Sequence, residues 1–272
     1  METPFSPFDP HGHEDGQRRK GKIELRYVVP NVITVLAICA GLSGIRLAFE
    51  GRFEPAVLMV LAAAFLDGID GRIARMMKGQ SKFGAQMDSI ADAVNFGAAP
   101  ALVLYAYTLD QTRSIGWIAA LVYAIACCLR LARFNVMNDN PEQAANSGDF
   151  FVGVPAPAGA CLVMLPIYLG FLGVGPSVPT AVLASIYTVL IGLLMISQLP
   201  VFSGKKSTSR IHREIVLPLI ICVTVYVGFL VSFTWETLSL STLAYLVSLP
   251  FGVRAWRKAK ALKPEPAKDP PA

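Results

Sequence analysis

The chain has 272 residues, of which 54% are hydrophobic and 16% charged, with a mean hydropathy of +0.51. Soluble domains carry about 25% charged residues, so a soluble globular protein of this length is excluded. The net charge of +5 does not mark a nucleic-acid binder, because the basic residues sit at the ends of apolar runs, where they set topology and meet anionic lipid head groups.

In chain order, residues 1–20 lack apolar periodicity and read as a disordered tail. Residues 18–29 interleave Arg18, Arg19, Lys20, Lys22 and Arg26 with Ile23, Leu25, Tyr27 and Val28. That pattern suits a short interfacial helix lying on anionic lipid, or equally the basic flank of a first span. Residues 1–26 are polar and the first apolar run is long, which argues against a signal peptide. Tyr27–Ile45, Ala93–Leu109, Ser114–Leu129, Phe150–Gly204 and Ile215–Trp235 contain no Asp, Glu, Lys or Arg. A bilayer core takes about 20 apolar residues per helix, and spans are predicted at 30–49, 54–76, 84–107, 114–134, 155–173, 179–201, 213–233 and 237–254. The predicted fold is therefore all-α: a polytopic membrane helix bundle of about eight transmembrane helices, preceded by a short N-terminal interfacial helix.

An even number of spans puts both termini on one side of the membrane. Twenty-one of the 24 basic residues fall on that side, leaving only Arg46, Arg52 and Arg113 on or near the other. The bias predicts cytoplasmic termini. The five cysteines lie in apolar runs, where a thiol behaves as a small hydrophobe, and His11, His13 and His212 form no zinc-spaced cluster.

The second and third spans break the apolar pattern. Asp67 and Asp70 are three apart beside Gly68 and Gly71, and Asp88 and Asp92 are four apart. Each pair shares a helix face, and the short link around residues 77–83 predicts antiparallel neighbours, so all four carboxylates converge near the cytoplasmic end. Ionisable groups within a membrane mark function. Four carboxylates at one point repel severely unless hard divalent cations bind, and all-oxygen ligands suit Mg²⁺, Mn²⁺ or Ca²⁺ rather than zinc. Two such ions form a clamp for in-line displacement at phosphorus. The glycines leave the helix bare for close approach of a phosphate, and Arg75 supplies a planar donor. Two other readings are salt bridges from these acids to Arg72, Arg75 and Lys82, and the ion site of a cation-coupled transporter; no pair of Gly/Pro-broken spans in matching halves supports the latter.

The string Asp67-x2-Asp70-Gly71-x2-Ala74-Arg75-x8-Gly84-x3-Asp88-x3-Asp92 resembles the signature of the CDP-alcohol phosphotransferases, with every fixed position at the right spacing. Pro30-Asn31-x2-Thr34 resembles the segment that precedes it. The resemblance implies transfer of a phosphoalcohol from a CDP-linked donor to a hydroxyl, with release of CMP. It also implies that Asp67, Asp70, Asp88 and Asp92 bind two divalent cations (Mg²⁺ or Mn²⁺), that Asp92 is the general base, and that Asn31, Thr34, Gly71, Arg75 and Ser81 hold the CDP moiety. Asn31 is also open to reading as a helix N-cap.

Leu129–Asn135, Phe151–Ala158 and, less closely, Met195–Lys206 resemble segments of the bacterial membrane-integral phosphatidylserine synthase branch. That branch implies CDP-diacylglycerol and L-serine as substrates, a homodimer, and a multi-pass protein of the bacterial inner membrane whose site faces the cytoplasm. Serine needs a cation for its carboxylate and acceptors for its ammonium. Arg130 and Arg133 are the candidate cations, and Asn135 or the metal-site acids the candidate acceptors, although both arginines also suit positive-inside anchoring. Another acceptor, as in a phosphatidylcholine synthase, is the rival within the family.

The resulting organisation is a tail at 1–20, a six-span catalytic membrane domain at 21–200, two additional spans at 201–256, and a basic, proline-rich tail at 257–272.

Overall fold

The computed structural model describes residues 25–76, 82–139, 150–197, 200–202 and 213–261. Its helices are α1 (Leu25–Phe49), α2 (Phe53–Met76), α3 (Lys82–Asp92), α4 (Ala99–Tyr107), α5 (Ser114–Asp139), α6 (Ala156–Val163), α7 (Leu165–Phe171), α8 (Val178–Ile196), α9 (Arg213–Ser232) and α10 (Thr234–Ala261). A π-helical turn, Ala93–Ala98, joins α3 to α4, and a 3₁₀ turn, Leu109–Thr112, precedes α5. Val28–Phe49, Phe83–Tyr107, Ser114–Met137 and Val178–Ile196 are long and apolar enough to cross a membrane; Ala156–Phe171 and Val216–Ser232 are shorter apolar helices. The chain is a polytopic, helical membrane protein.

Every predicted span is helical through most of its length, with informative differences. The first helix begins at Leu25 with Pro30 inside it, so residues 25–29 continue into the span; the rest of the expected interfacial segment lies outside the described residues. The span expected at 84–107 is divided by the π turn, and that at 155–173 breaks at Met164 before Pro166. The sixth predicted span, α8, ends at Ile196, and Pro200–Val201, expected to complete it, are in a strand instead. The last helix runs to Ala261, so the start of the expected tail at 257 is helical.

Lipid offers no hydrophobic driving force between helices, so small residues and close backbone approach hold the bundle. The α1–α2 contact illustrates this. Ala37, Ala56 and Ala63 are fully buried, and a Cβ on Gly44 would sit 3.0 Å from both the Ala56 carbonyl oxygen and Val60 Cγ2. Gly44→Val is therefore expected to lower stability by about 1–3 kcal/mol through overpacking, measured by thermal unfolding in detergent; unchanged unfolding would remove this contact from the account.

At the end of the bundle away from the acids, Phe53, Tyr107, Phe171 and Trp235 form a chain of ring contacts at 5.0, 5.8 and 4.4 Å. Aromatic residues favour the membrane interface. At the other end, strands β1 (Phe150–Val152) and β2 (Pro200–Phe202) pair antiparallel, Phe151 opposite Val201. This ribbon, absent from the expected fold, ties the chain entering α6 to the chain leaving α8. Gly153 makes the link possible: its φ is +82°, and a Cβ there would lie 2.6 Å from the Met195 carbonyl oxygen and 2.8 Å from that of Ser197.

Candidate active site

Asp67 and Asp70 project from the second half of α2, and Asp88 and Asp92 from α3. One carboxylate oxygen from each of Asp67, Asp70 and Asp88 lies within 4.8 Å of the others. Asp92 meets Asp67 side chain to side chain, so the fourth acid adjoins the same cluster.

Asp70 is only 2% exposed, and both its oxygens, together with Oδ1 of Asp67, are buried without a hydrogen-bond partner among the described residues. The buried Thr34 hydroxyl on α1 lies beside Asp70 but donates to the Pro30 carbonyl at 3.1 Å. Arg75 does not pair with the acids: its Nε donates to the Gly71 carbonyl at 2.9 Å. Among the described residues the ion pair is Arg46 with Glu50, at 2.7 Å and far from the cluster in sequence. The salt-bridge reading thus gains no support for Arg72 or Arg75; the Lys82 side chain lies outside the described set. Converging like charges that lack donors are costly, and three carboxylates within reach of one point fit a hard divalent cation.

Space beside the acids is open. A Cβ built on Gly68 or Gly71 meets no atom within 4 Å among the described residues. Internal packing does not require glycine here, so the bare surface remains available to a ligand. Asn31 lies within α1, beyond the first turn that begins at Leu25, and is not its N-cap; the capping reading is corrected. Ser81 lies outside the described residues.

A family model described as CDP-alcohol phosphatidyltransferase matches residues 27–197, and a second, CDP-alcohol phosphatidyltransferase 2, matches 214–250. The chain belongs to the CDP-alcohol phosphatidyltransferase family. It is 40% identical over 232 residues to the CDP-diacylglycerol–serine O-phosphatidyltransferase of Mycobacterium leprae, covering 85% of this chain and 76% of that one. It is 33% identical over 230 residues to the enzyme of the same name from Helicobacter pylori, covering 85% and 91%. A solved structure, the phosphatidylinositol phosphate synthase of Mycobacterium tuberculosis with CDP-DAG bound, is similar at a TM-score of 0.45 and 21% identity, over 61% of this chain and 80% of that one.

The cluster also has a side that faces α5. Arg130 is half-buried, within electrostatic reach of Asp92, and its buried Nε has no partner among the described residues. Arg130 and the exposed Arg133 line a cavity of about 80 Å³ with Phe134, Met137, Met195 and Ile196. Asn135 Nδ2 donates to Ser89 Oγ at 3.0 Å, linking the end of α5 to the helix that carries Asp88 and Asp92.

Two features escaped the sequence reading. The π turn follows directly on Asp92, and the buried Tyr123 hydroxyl of α5 donates to its Phe96 carbonyl at 2.8 Å. Such turns widen the backbone spacing, leave carbonyls in need of donors and favour functional sites. Asn95, within the turn, is fully buried, and both its amide atoms are unpartnered among the described residues. Polar residues at 92, 95 and 123 in otherwise apolar spans were the available signal.

Proposed function

We propose that this chain is a phosphatidylserine synthase, which transfers the phosphatidyl group of CDP-diacylglycerol to the hydroxyl of L-serine and releases CMP. The observation that carries the reading is the convergence of the family's aspartates beside two open glycines, in a chain whose curated relatives are named for this reaction. In this reading the acyl chains stay in the bilayer while the diphosphate reaches the acids from the cytoplasmic side of a bacterial inner membrane. Residues 21–200 form the catalytic domain, 201–256 add two spans, and the unit is a homodimer.

Asp67, Asp70, Asp88 and Asp92 hold two divalent cations, Mg²⁺ or Mn²⁺. When bound, these neutralise charge on the diphosphate and on departing CMP. Asn31, Thr34, Gly71 and Arg75, with Ser81, border the CDP moiety. Asp92 accepts the proton of the serine hydroxyl. The serine oxygen forms its bond to the phosphorus bearing diacylglycerol as the bond from that phosphorus to the bridging oxygen of the diphosphate breaks, and CMP leaves with the electron pair. Catalysis is largely positional and electrostatic. Arg130 and Arg133 receive the serine carboxylate, and Asn135 holds the end of α5 against Ser89.

CMP release from purified protein tests this reading, with serine, choline, inositol and glycerol 3-phosphate supplied separately. Release with serine alone is expected. Release with another acceptor overturns the serine assignment, and cation-driven solute flux without CMP favours a transporter. In the same assay Arg130→Ala should raise the serine KM by about tenfold or more, the scale of a lost hydrogen bond to a charged group; an unchanged KM would remove Arg130 from the acceptor site.

A further inference from the structure

Helix α10 lies in a separate family match from the one that carries the aspartates, yet it is not merely lipid-facing. Leu240, Leu243 and Val247 are exposed, whereas Ser239 and Thr242 are 4% and 5% exposed. Tyr245 continues that series at a spacing of three, so the helix turns one polar stripe inward. The helix packs on α7 and on strand β2, beside the chain leaving α8. Its Tyr245 hydroxyl is buried and has no hydrogen-bond partner among the described residues, the same condition as Arg130 Nε. Arg130 and Tyr245 lie within electrostatic reach of each other, and Arg130 reaches Asp92 as well and lines the cavity.

Buried polar groups without partners are uncommon, and each calls for an explanation. A guanidinium has only donors, and a phenol hydroxyl can donate as well as accept. Two unpartnered groups of this kind, within electrostatic reach of each other, with Arg130 also reaching the carboxylate assigned as base, suit a small anion with several acceptor oxygens. The carboxylate of an amino-acid acceptor meets that description.

We propose that Tyr245 is an acceptor-specificity residue: its hydroxyl and the Arg130 guanidinium together hold the carboxylate of the amino-acid acceptor, so that the C-terminal helix completes a site otherwise built on α2, α3 and α5. The inference rests on the serine synthase reading and adds to it a residue and a role for α10.

The test is Tyr245→Phe in the full-length protein, which keeps the ring and removes the hydroxyl. Serine KM, CDP-diacylglycerol KM and thermal unfolding are measured beside the wild type. The expected result is a rise of about tenfold in serine KM, with CDP-diacylglycerol KM and unfolding unchanged. An unchanged serine KM overturns the inference while leaving the synthase reading intact. Equal rises in both KM values with earlier unfolding also overturn it, since they mark a packing role. Wild-type protein that releases no CMP with serine overturns the function and this inference together.

Discussion

Asp92→Asn is expected to lower turnover by about 10²–10⁴-fold, the range contributed by a positioned general base, while leaving the thermal unfolding of the protein nearly unchanged. The amide keeps the shape of the carboxylate and cannot accept the hydroxyl proton. Asp92 is the acid that also lies toward Arg130, whereas Asp67, Asp70 and Asp88 form the tighter group. In the proposed reading, that difference in surroundings suits Asp92 to the role of base in addition to cation binding. The measurement is CMP release at saturating serine and CDP-diacylglycerol, with unfolding followed in the same preparation. Near-normal turnover would remove Asp92 as the base, and loss of the fold would make its role structural.

Asp70→Asn is expected to act in two directions at once. Turnover should fall by about 10²-fold or more, because the substitution removes charge from the centre that stabilises the diphosphate. In protein freed of divalent cations by a chelator, stability should rise, by about 1–3 kcal/mol on the scale of an unsatisfied buried polar group. Asp70 is nearly inaccessible, neither of its oxygens has a hydrogen-bond partner within bonding distance among the described residues, and it sits within 4.8 Å of two other carboxylates. An arrangement that weakens the empty fold is one kept for function rather than for stability. Added Mn²⁺ should stabilise the wild type more than the variant. A variant no more stable than the wild type in chelator, or one equally stabilised by Mn²⁺, would contradict this reading of the cluster.

The acid cluster was legible because its information is local. Spacings of three and four put two carboxylates on one face, and a link too short for any other arrangement brings the helices together. The spans were legible from their freedom from charge. What escaped depends on contacts between distant segments. Ala93–Ala98 is apolar apart from Asn95, and the widened turn is stabilised by Tyr123 from another helix. Strands β1 and β2 are three residues each and lie within a single charge-free run, so β1 read as a link before a span and most of β2 as the end of one. Their pairing depends on Gly153, whose φ of +82° is not encoded by hydropathy. Pro30 suggested a helix start, since proline favours the first turn. The helix instead begins at Leu25, so Pro30 lies past the first turn and removes one i→i−4 hydrogen bond, while the Thr34 hydroxyl bonds the Pro30 carbonyl. Tyr245 sat unremarked in an apolar span, although Ser239 and Thr242 share its spacing of three and already marked the inward face.

The central claim is that the clustered aspartates do their chemistry with bound divalent cations. The most direct test is a Mn²⁺ titration of chelator-treated protein, with bound ion measured by electron paramagnetic resonance and CMP release with serine followed in the same samples. No release is expected without cation, with release rising in step with occupancy and loss of both binding and release in Asp67→Ala/Asp70→Ala. Full turnover in protein shown to hold no cation, or undiminished Mn²⁺ binding in that double variant, would contradict this claim.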